Sequence, residues 1–161
     1  MIITFSLGGS LVNTEKGVDK EYLAKIKEIV KKSKHKFAIV TGGGYKAREY
    51  ANKVRDKGGN EFQADEAAIK ATKENAKAVI NALGKMAYSK VPNDFNVAKK
   101  ALKKNKVVVM GGTIPGITTD SDAVLLAECV ESKRVINISN VGGVYNKNPK
   151  KHKDAKKYSV M

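Results

Sequence analysis

The run Val107-Val108-Val109-Met110-Gly111-Gly112-Thr113-Ile114-Pro115-Gly116-Ile117-Thr118-Thr119-Asp120-Ser121-Asp122 decides how the chain is read. Four apolar residues followed by two glycines predict a buried strand that ends in a turn. The residues after Asp122, Ala123-Val124-Leu125-Leu126-Ala127-Glu128, carry a helical pattern. Thr119 and Asp122, three positions apart, have the spacing of a capping box and predict that the helix starts there. A strand, a glycine turn and a helix N-terminus in succession bring bare backbone N–H groups and the positive end of a helix dipole to one point. An anion would bind there, although a strand–helix turn that binds nothing has the same local signature.

Working outward, the same arrangement recurs. Ile2–Leu7 reads as a strand running into Gly8-Gly9-Ser10. Phe37–Val40 reads as a buried strand before Gly42-Gly43-Gly44, and Arg134–Ile138 as a strand before Ser139–Tyr145, which contains Gly142 and Gly143. Between them lie helical patterns. Tyr22, Leu23, Ile26, Ile29 and Val30 share one face of a helix that Asp19 is placed to cap. Ala47, Tyr50, Ala51 and Val54 mark a helix stopped by Gly58-Gly59. Asp65 to Leu83 is a long helical pattern with Asn75 as a polar oddity on or beside its apolar face, Met86-Ala87-Tyr88 reads as a short strand, and Asn93 is placed to cap a helix through Leu102. Strands alternating with helices predict an α/β fold: a mainly parallel sheet with helices on both faces. Ligands of such sheets sit beyond the carboxyl ends of the strands, so all four glycine turns are expected on one edge. Four convergent turns point to a polyanionic ligand far more strongly than any one of them. Lys46 and Arg48, in the first turn after Gly44, oppose the helix dipole. A guanidinium held there to fork onto phosphate explains the conflict; so does an ordinary exposed arginine.

The length, 161 residues, suits one domain, 1–161, with a substantial core. The formal net charge of +15 calls for an anionic partner or for none in particular. The lysines are spread over every helix, tryptophan is absent and aromatics make up only 6%, which argues against a base-stacking nucleic-acid platform. No apolar run approaches the ~20 residues that span a bilayer, and the first residues read as a strand with no leader-peptide pattern. The lone Cys129 allows no internal disulfide and fits a reducing cytoplasm. His35 and His152 are too far apart for a structural zinc site. The basic, apolar-poor segment Lys150–Met161 is expected to be mobile.

Several stretches resemble the amino-acid kinase superfamily and, within it, the archaeal type of UMP kinase. They are Leu7-Gly8-Gly9-Ser10, Gly42-Gly43-Gly44-Tyr45-Lys46-Ala47-Arg48, Asp65 with Thr72 and Asn75, Gly111–Asp120, and Asn140-Val141-Gly142-Gly143-Val144-Tyr145. The likeness covers nearly the whole chain, in order. It implies a three-layer sandwich, transfer of the ATP γ-phosphoryl group to UMP with Mg²⁺, a role in pyrimidine biosynthesis, and a homo-oligomer, in the family a hexamer of dimers. No residue is assigned as a metal ligand, and no specific nucleic-acid partner and no membrane partner are expected. By the same resemblance Gly8, Gly9, Ser10, Gly44, Arg48, Ser139, Asn140, Tyr145 and Asn148 would bind ATP. Gly43, Asp65 and the loop Thr113, Ile114, Pro115, Gly116, Ile117, Thr118 and Thr119 would bind UMP, and Arg48 and Asp120 would be catalytic. The family pattern departs at Gly142, Asn146 and Asn148, where it carries carboxylates, and at Ser6, where many members carry lysine. Family members also continue beyond Met161. Two other readings stand beside this one: the same fold with another small acceptor (carbamate, an amino acid or isopentenyl phosphate), and a non-catalytic nucleotide-binding relative.

Overall fold

The computed structural model describes residues 1–159. In chain order the elements are β1 (Ile2–Leu7), the single-turn α1 (Gly9–Val12), the two-residue strands β2 (Asn13–Thr14) and β3 (Gly17–Val18), α2 (Lys20–Lys32), β4 (Lys36–Thr41), α3 (Gly44–Asp56) and α4 (Glu61–Leu83). A short 3-10 turn (Gly84–Met86) follows, then α5 (Phe95–Lys104), β5 (Val107–Met110), α6 (Thr119–Cys129) and β6 (Val135–Ile138). The main sheet runs β5-β4-β1-β6 with every neighbouring pair parallel; β2 and β3 form a separate small hairpin.

Successive strand residues face opposite sides of the sheet, and the core follows that alternation. Phe5, Leu7, Phe37, Ile39, Val107 and Val109 pack on one side against Leu23, Ile26 and Val30 of α2 and Ala76, Val79, Ile80 and Leu83 of α4. Ala38, Val40, Val108 and Met110 pack on the other against Ala98 and Leu102 of α5 and Ala123 and Leu126 of α6. Helices therefore cover both faces, and the continuous apolar runs of β4 and β5 are what a doubly covered parallel strand requires. β6 differs. Val135 and Ile136 are 44% and 42% exposed, and its outer edge has no strand partner among the described residues.

Local signals held where the chemistry was unambiguous and slipped where two neighbours compete. Asp19 caps α2 by accepting from Tyr22 N at 2.8 Å. Ile29, expected on the apolar face of α2, is exposed; Leu23, Ile26 and Val30 alone make the buried stripe. α4 starts four residues before Asp65, at a reciprocal Asn60–Gln63 capping box. Asp94, not Asn93, caps α5, because its carboxylate reaches Val97 N at 2.9 Å. Thr118, not Thr119, caps α6, and Asp122 is drawn off to another partner. Residues 86–88 form no strand: the 3-10 turn leads to an isolated bridge between Ala87 and Val107. The basic segment is also more structured than its composition suggests. Asn146 N donates to Lys156 O and Tyr158 N to Val144 O, folding residues 155–158 back on 144–146. Val160 and Met161, the end of the segment expected to be mobile, lie outside the described residues.

Two lysines close helix ends at the opposite, amino edge of the sheet. Lys36 Nζ donates to the carbonyls of Leu102 and Lys103 at 2.7 and 2.8 Å, and Lys106 Nζ to those of Ser33 and Lys31 at 2.7 and 3.3 Å. These carbonyls stand at the C-terminal ends of α5 and α2, where backbone acceptors lack helical partners and the dipole favours a cation. Lys36→Met and Lys106→Met keep the aliphatic stem and remove the donor. Each is expected to lower unfolding free energy by about 1–2 kcal/mol, read as a reduced denaturation midpoint with an unchanged slope.

Candidate functional site

The strand order reverses at β1. The chain moves from β1 to β4 and β5 on one side, then returns to place β6 on the other. At such a switch point the connections leave in opposite directions and open a crevice beyond the carboxyl ends of the strands. A cavity of about 770 Å³ lies there, lined by Gly8 and Gly9 after β1, Gly42 to Gly44 after β4, and Ser139 and residues 141–144 after β6, with Thr119 and Asp120 from α6. A second cavity of about 260 Å³ lies between α3, α4 and the loop after β5, lined by Asp65, Ile69 and Thr72 and by residues 114–119. Gly43 and Thr119 line both cavities.

Glycine is demanded at the contact between the first two turns. A Cβ on Gly9 would collide with Gly42 O and Gly44 N. Gly44 adopts a φ of +60°, and a Cβ there would run into the Gly9–Ser10 peptide. Two backbone segments thus lie directly against each other at the start of α3, leaving peptide groups rather than side chains at the cavity wall. Gly111 is similarly pressed onto Thr72 and Lys73 of α4.

Carboxylates mark the two cavities. Asp120, exposed in the first turn of α6, accepts from the Ser6 hydroxyl and from Asn137 Nδ2, the latter at 3.1 Å. It is the one carboxylate lining the larger cavity among the described residues. Asp65 Oδ2 accepts from Gly116 N at 2.9 Å and so fixes the far wall of the smaller cavity. Asp122 is fully buried and accepts from Thr113 Oγ1 at 2.6 Å and Thr113 N at 3.2 Å, tying the start of the 113–118 loop to α6. Among the described residues no group of three or more His, Cys, Asp or Glu side chains is arranged to hold a metal ion.

Of the residues expected to bind ATP, Gly8, Gly9, Gly44 and Ser139 border the larger cavity and Ser10, Asn140, Tyr145, Asn148 and Arg48 do not; Asp120 borders it too, as do Gly43 and Thr119, which were expected to bind UMP. Asp65, Gly43 and Ile114 to Thr119 border the smaller one, whereas Thr113 is engaged by Asp122. Arg48 is exposed one turn into α3 and lines neither cavity. Lys46, its neighbour in that turn, is ion-paired with Glu74 and lies 5.7 Å from the centre of the Tyr50 ring. The hydrogen bond to Glu74 holds the Lys46 ammonium above the ordinary lysine range, so its charge is already matched. Asn146 and Asn148, at positions where carboxylates were expected, use their side-chain oxygens to accept from Lys156 N and Lys150 N, both at 2.9 Å. They brace the folded-back segment, and Lys157 lies against Gly143 at the rim of the larger cavity. Asn137 carried no signal in the sequence, and Asp122 only that of a helix cap; Thr72 and Asn75 were marked by the resemblance, Asn75 also as a polar residue on an apolar helix face, and Ser6 as a departure from the family pattern.

The model of the amino acid kinase family matches residues 1–161. The uridylate kinase of Methanocaldococcus jannaschii is 44% identical over 164 residues, covering all of this chain and 73% of that relative. The crystal structure of the uridylate kinase from Archaeoglobus fulgidus superposes with a TM-score of 0.85 at 41% identity, covering 98% of this chain and 72% of the other. X-ray structures of isopentenyl phosphate kinase share the fold, with a TM-score of 0.76 at 24% identity over 97% of this chain and 80% of theirs.

The Asp122–Thr113 pair makes a specific demand on the loop. Asp122→Ala strands the two part-buried donors of Thr113, and a hydrogen bond to a charged acceptor contributes about 1.5–3 kcal/mol. The expected result is a stability loss of that order together with faster hydrogen exchange at residues 113–118 than at the β4 amides.

Proposed function

The chain belongs to the amino acid kinase family, and we propose that it transfers the γ-phosphoryl group of ATP to the phosphate of UMP, giving UDP and ADP. Residues 1–161 act in this reading as one kinase-fold unit. The observation that carries it is the pair of cavities meeting at Gly43 and Thr119 on the carboxyl edge of the sheet. A two-nucleotide kinase needs two subsites opening on one point where their phosphates face each other. The larger cavity, at the switch point, takes ATP; the smaller one, closed by the Asp65–Gly116 contact, takes UMP. The names of the 40–44% identical relatives support the acceptor. The kinship with isopentenyl phosphate kinase is one of fold and leaves that preference untouched.

The chemistry asks for positioning and charge neutralisation more than for acid–base catalysis. A UMP phosphate oxygen, already ionised near neutral pH, forms the new bond to the γ-phosphorus, and the bond from that phosphorus to the β,γ-bridging oxygen breaks as ADP leaves. No strong base is required, which suits a site built of glycine peptides and hydroxyls. Asp120 sits where phosphates converge and would repel them alone. That donor set, one carboxylate beside a phosphate site, fits Mg²⁺, which is commonly held by one or two carboxylates together with substrate phosphates. With Asp120 as its protein ligand, the bound ion would neutralise charge on the ATP phosphates. Arg48 reaches the phosphates from α3 in this reading, which requires its exposed side chain to swing across Gly44. Val124 and Leu125, 58% and 46% exposed on α6, support assembly into a homo-oligomer.

The neutral residues Gly142, Asn146 and Asn148 favour an unequal site, with the ATP side weakened. Calorimetric titration at one fixed salt concentration is expected to give UMP binding in the micromolar range and Mg-ATP binding nearer millimolar, about 4 kcal/mol apart at the limits. Coupled-assay turnover should be measurable and slow. Arg48→Ala should weaken nucleotide binding by about 1.5–3 kcal/mol without altering the denaturation midpoint. Tight Mg-ATP binding with no UMP binding would reverse the assignment of the two cavities.

A further inference from the structure

At the meeting point of the two cavities, one turn of α4 presents two polar side chains to the glycine turns, Thr72 from the wall of the smaller cavity and Asn75 from behind it. Asn75 is fully buried, and its Nδ2 donates to Gly42 O at 2.9 Å and Gly43 O at 3.2 Å. Thr72, three residues earlier, accepts from Gly112 N at 2.7 Å through a hydroxyl that donates to Ile69 O at 2.6 Å. The carbonyl of Thr72 accepts in turn from the Thr41 hydroxyl at 2.9 Å, at the end of β4. Two side chains on one helix therefore grip the turn after β4 and the turn after β5 together. Those turns build the walls of both subsites: Gly43 borders both cavities and Gly112 the smaller one.

The orientation of the Gly42 and Gly43 peptides follows. A trans peptide sets its N–H opposite its C=O. With the carbonyls of Gly42 and Gly43 turned onto Asn75, the N–H groups of Gly43 and Gly44 point the other way, off α4. Gly44 opens α3, so its N–H is one of the unpartnered donors of a helix start. An apolar residue at position 75 would let those carbonyls turn toward the phosphates they must avoid. An apolar residue at 72 would leave Gly112 N without a buried acceptor, a loss that favours a shifted loop.

We propose that Asn75 and Thr72 are positioning residues for phosphoryl transfer: through backbone groups of the two turns, they aim the amide groups of the 43–44 turn at the phosphates and hold the UMP loop in register with them. The proposal rests on the two-nucleotide kinase reading above. Neither side chain takes a proton or bonds to phosphorus. Their effect is on the relative placement of two bound substrates, so it belongs in the transfer rate more than in the affinity for either nucleotide alone.

Four substitutions in the full chain test this, each checked for folding by circular dichroism and denaturation midpoint. Thr72→Val keeps the shape and removes the hydroxyl; Thr72→Ser keeps the hydroxyl and removes a methyl. Asn75→Ala removes the donor, and Asn75→Gln restores one at longer reach. At saturating UMP and Mg-ATP, a misplacement of about 1 Å lowers the single-turnover rate roughly a hundredfold. That loss is expected for Thr72→Val and Asn75→Ala, with UMP affinity by calorimetry changed only about threefold, or ~0.65 kcal/mol. Thr72→Ser should recover most of the rate lost in Thr72→Val. A merely structural role would move the denaturation midpoint and leave the rate per folded molecule intact, and that result overturns the proposal. So does a Thr72→Ser variant as slow as Thr72→Val. If Asn75→Ala does not fold, the Thr72 pair decides by itself. An unsubstituted chain that binds no UMP and transfers no phosphoryl group refutes the kinase reading, and the positioning roles with it. An active chain with four active variants refutes the positioning roles alone.

Discussion

The contact of Gly9 with the Gly42–Gly44 turn is the constraint on which the site depends. Side chains cannot come between these segments, so the ends of β1 and β4 are locked at backbone distance. Register continues the lock inward: Leu7 stands beside Thr41, and Gly42 N donates to Leu7 O at 2.8 Å. With two strand ends fixed, the start of α3 has one place to be and the cavity at the switch point has a rigid floor. A floor made of peptide groups suits phosphates, which are bound by N–H donors and helix ends at least as readily as by charged side chains. Most of the lysine charge stands elsewhere on the molecule, over the helices and at the far edge of the sheet.

A second layer of polar groups stands behind that floor and is buried at a cost. Asn75, Thr72, Thr41 and Asp122 are all among the buried polar residues; Asn75, Thr72 and Asp122 bond to turns or loops of the site, and Thr41 ties the end of β4 to Thr72 O and Met110 O. A core built for stability alone would fill those positions with apolar side chains, since unpaired buried polar groups are costly and paired ones only modestly helpful. Their full satisfaction here makes the turns stiff. Thr4 Oγ1 and His35 Nδ1, the buried side-chain atoms without partners among the described residues, lie in or just before strands and away from the site.

The strands and their glycine ends were legible in the sequence because period and punctuation say the same thing. Val107–Met110 before Gly111-Gly112 admits no other reading, and parallel order follows from the helices between. Cap positions were legible only to within a residue. Asn93 and Asp94, or Thr118 and Thr119, are equally able to cap a helix, and the choice is made by how the entering loop packs. Asp122 shows how spacing misleads: it has capping-box distance from Thr119, but burial pairs it with Thr113. The partners of Thr72 and Asn75 lie some 30 to 40 residues away in the chain, beyond what any local pattern encodes. The 144–158 fold-back escaped notice because it rests on backbone pairing and two asparagine turns rather than on apolar residues.

The placement of β6 bears on how the molecule is assembled in time. Its partner β1 is the first strand of the chain, and Thr4 pairs with Val135 across almost the entire sequence. Closing so long a loop costs entropy that nearer contacts need not meet first. β1, β4 and β5 with their helices can collapse before β6 arrives, so the wall at Ser139–Val144 is the last part of the larger cavity to form. Until then β1 presents an open edge. Unpaired edges of this kind template pairing with other chains. Lys133 and Arg134, just before β6, and the high net positive charge of the whole chain set like charge between molecules whose open β1 edges would otherwise join.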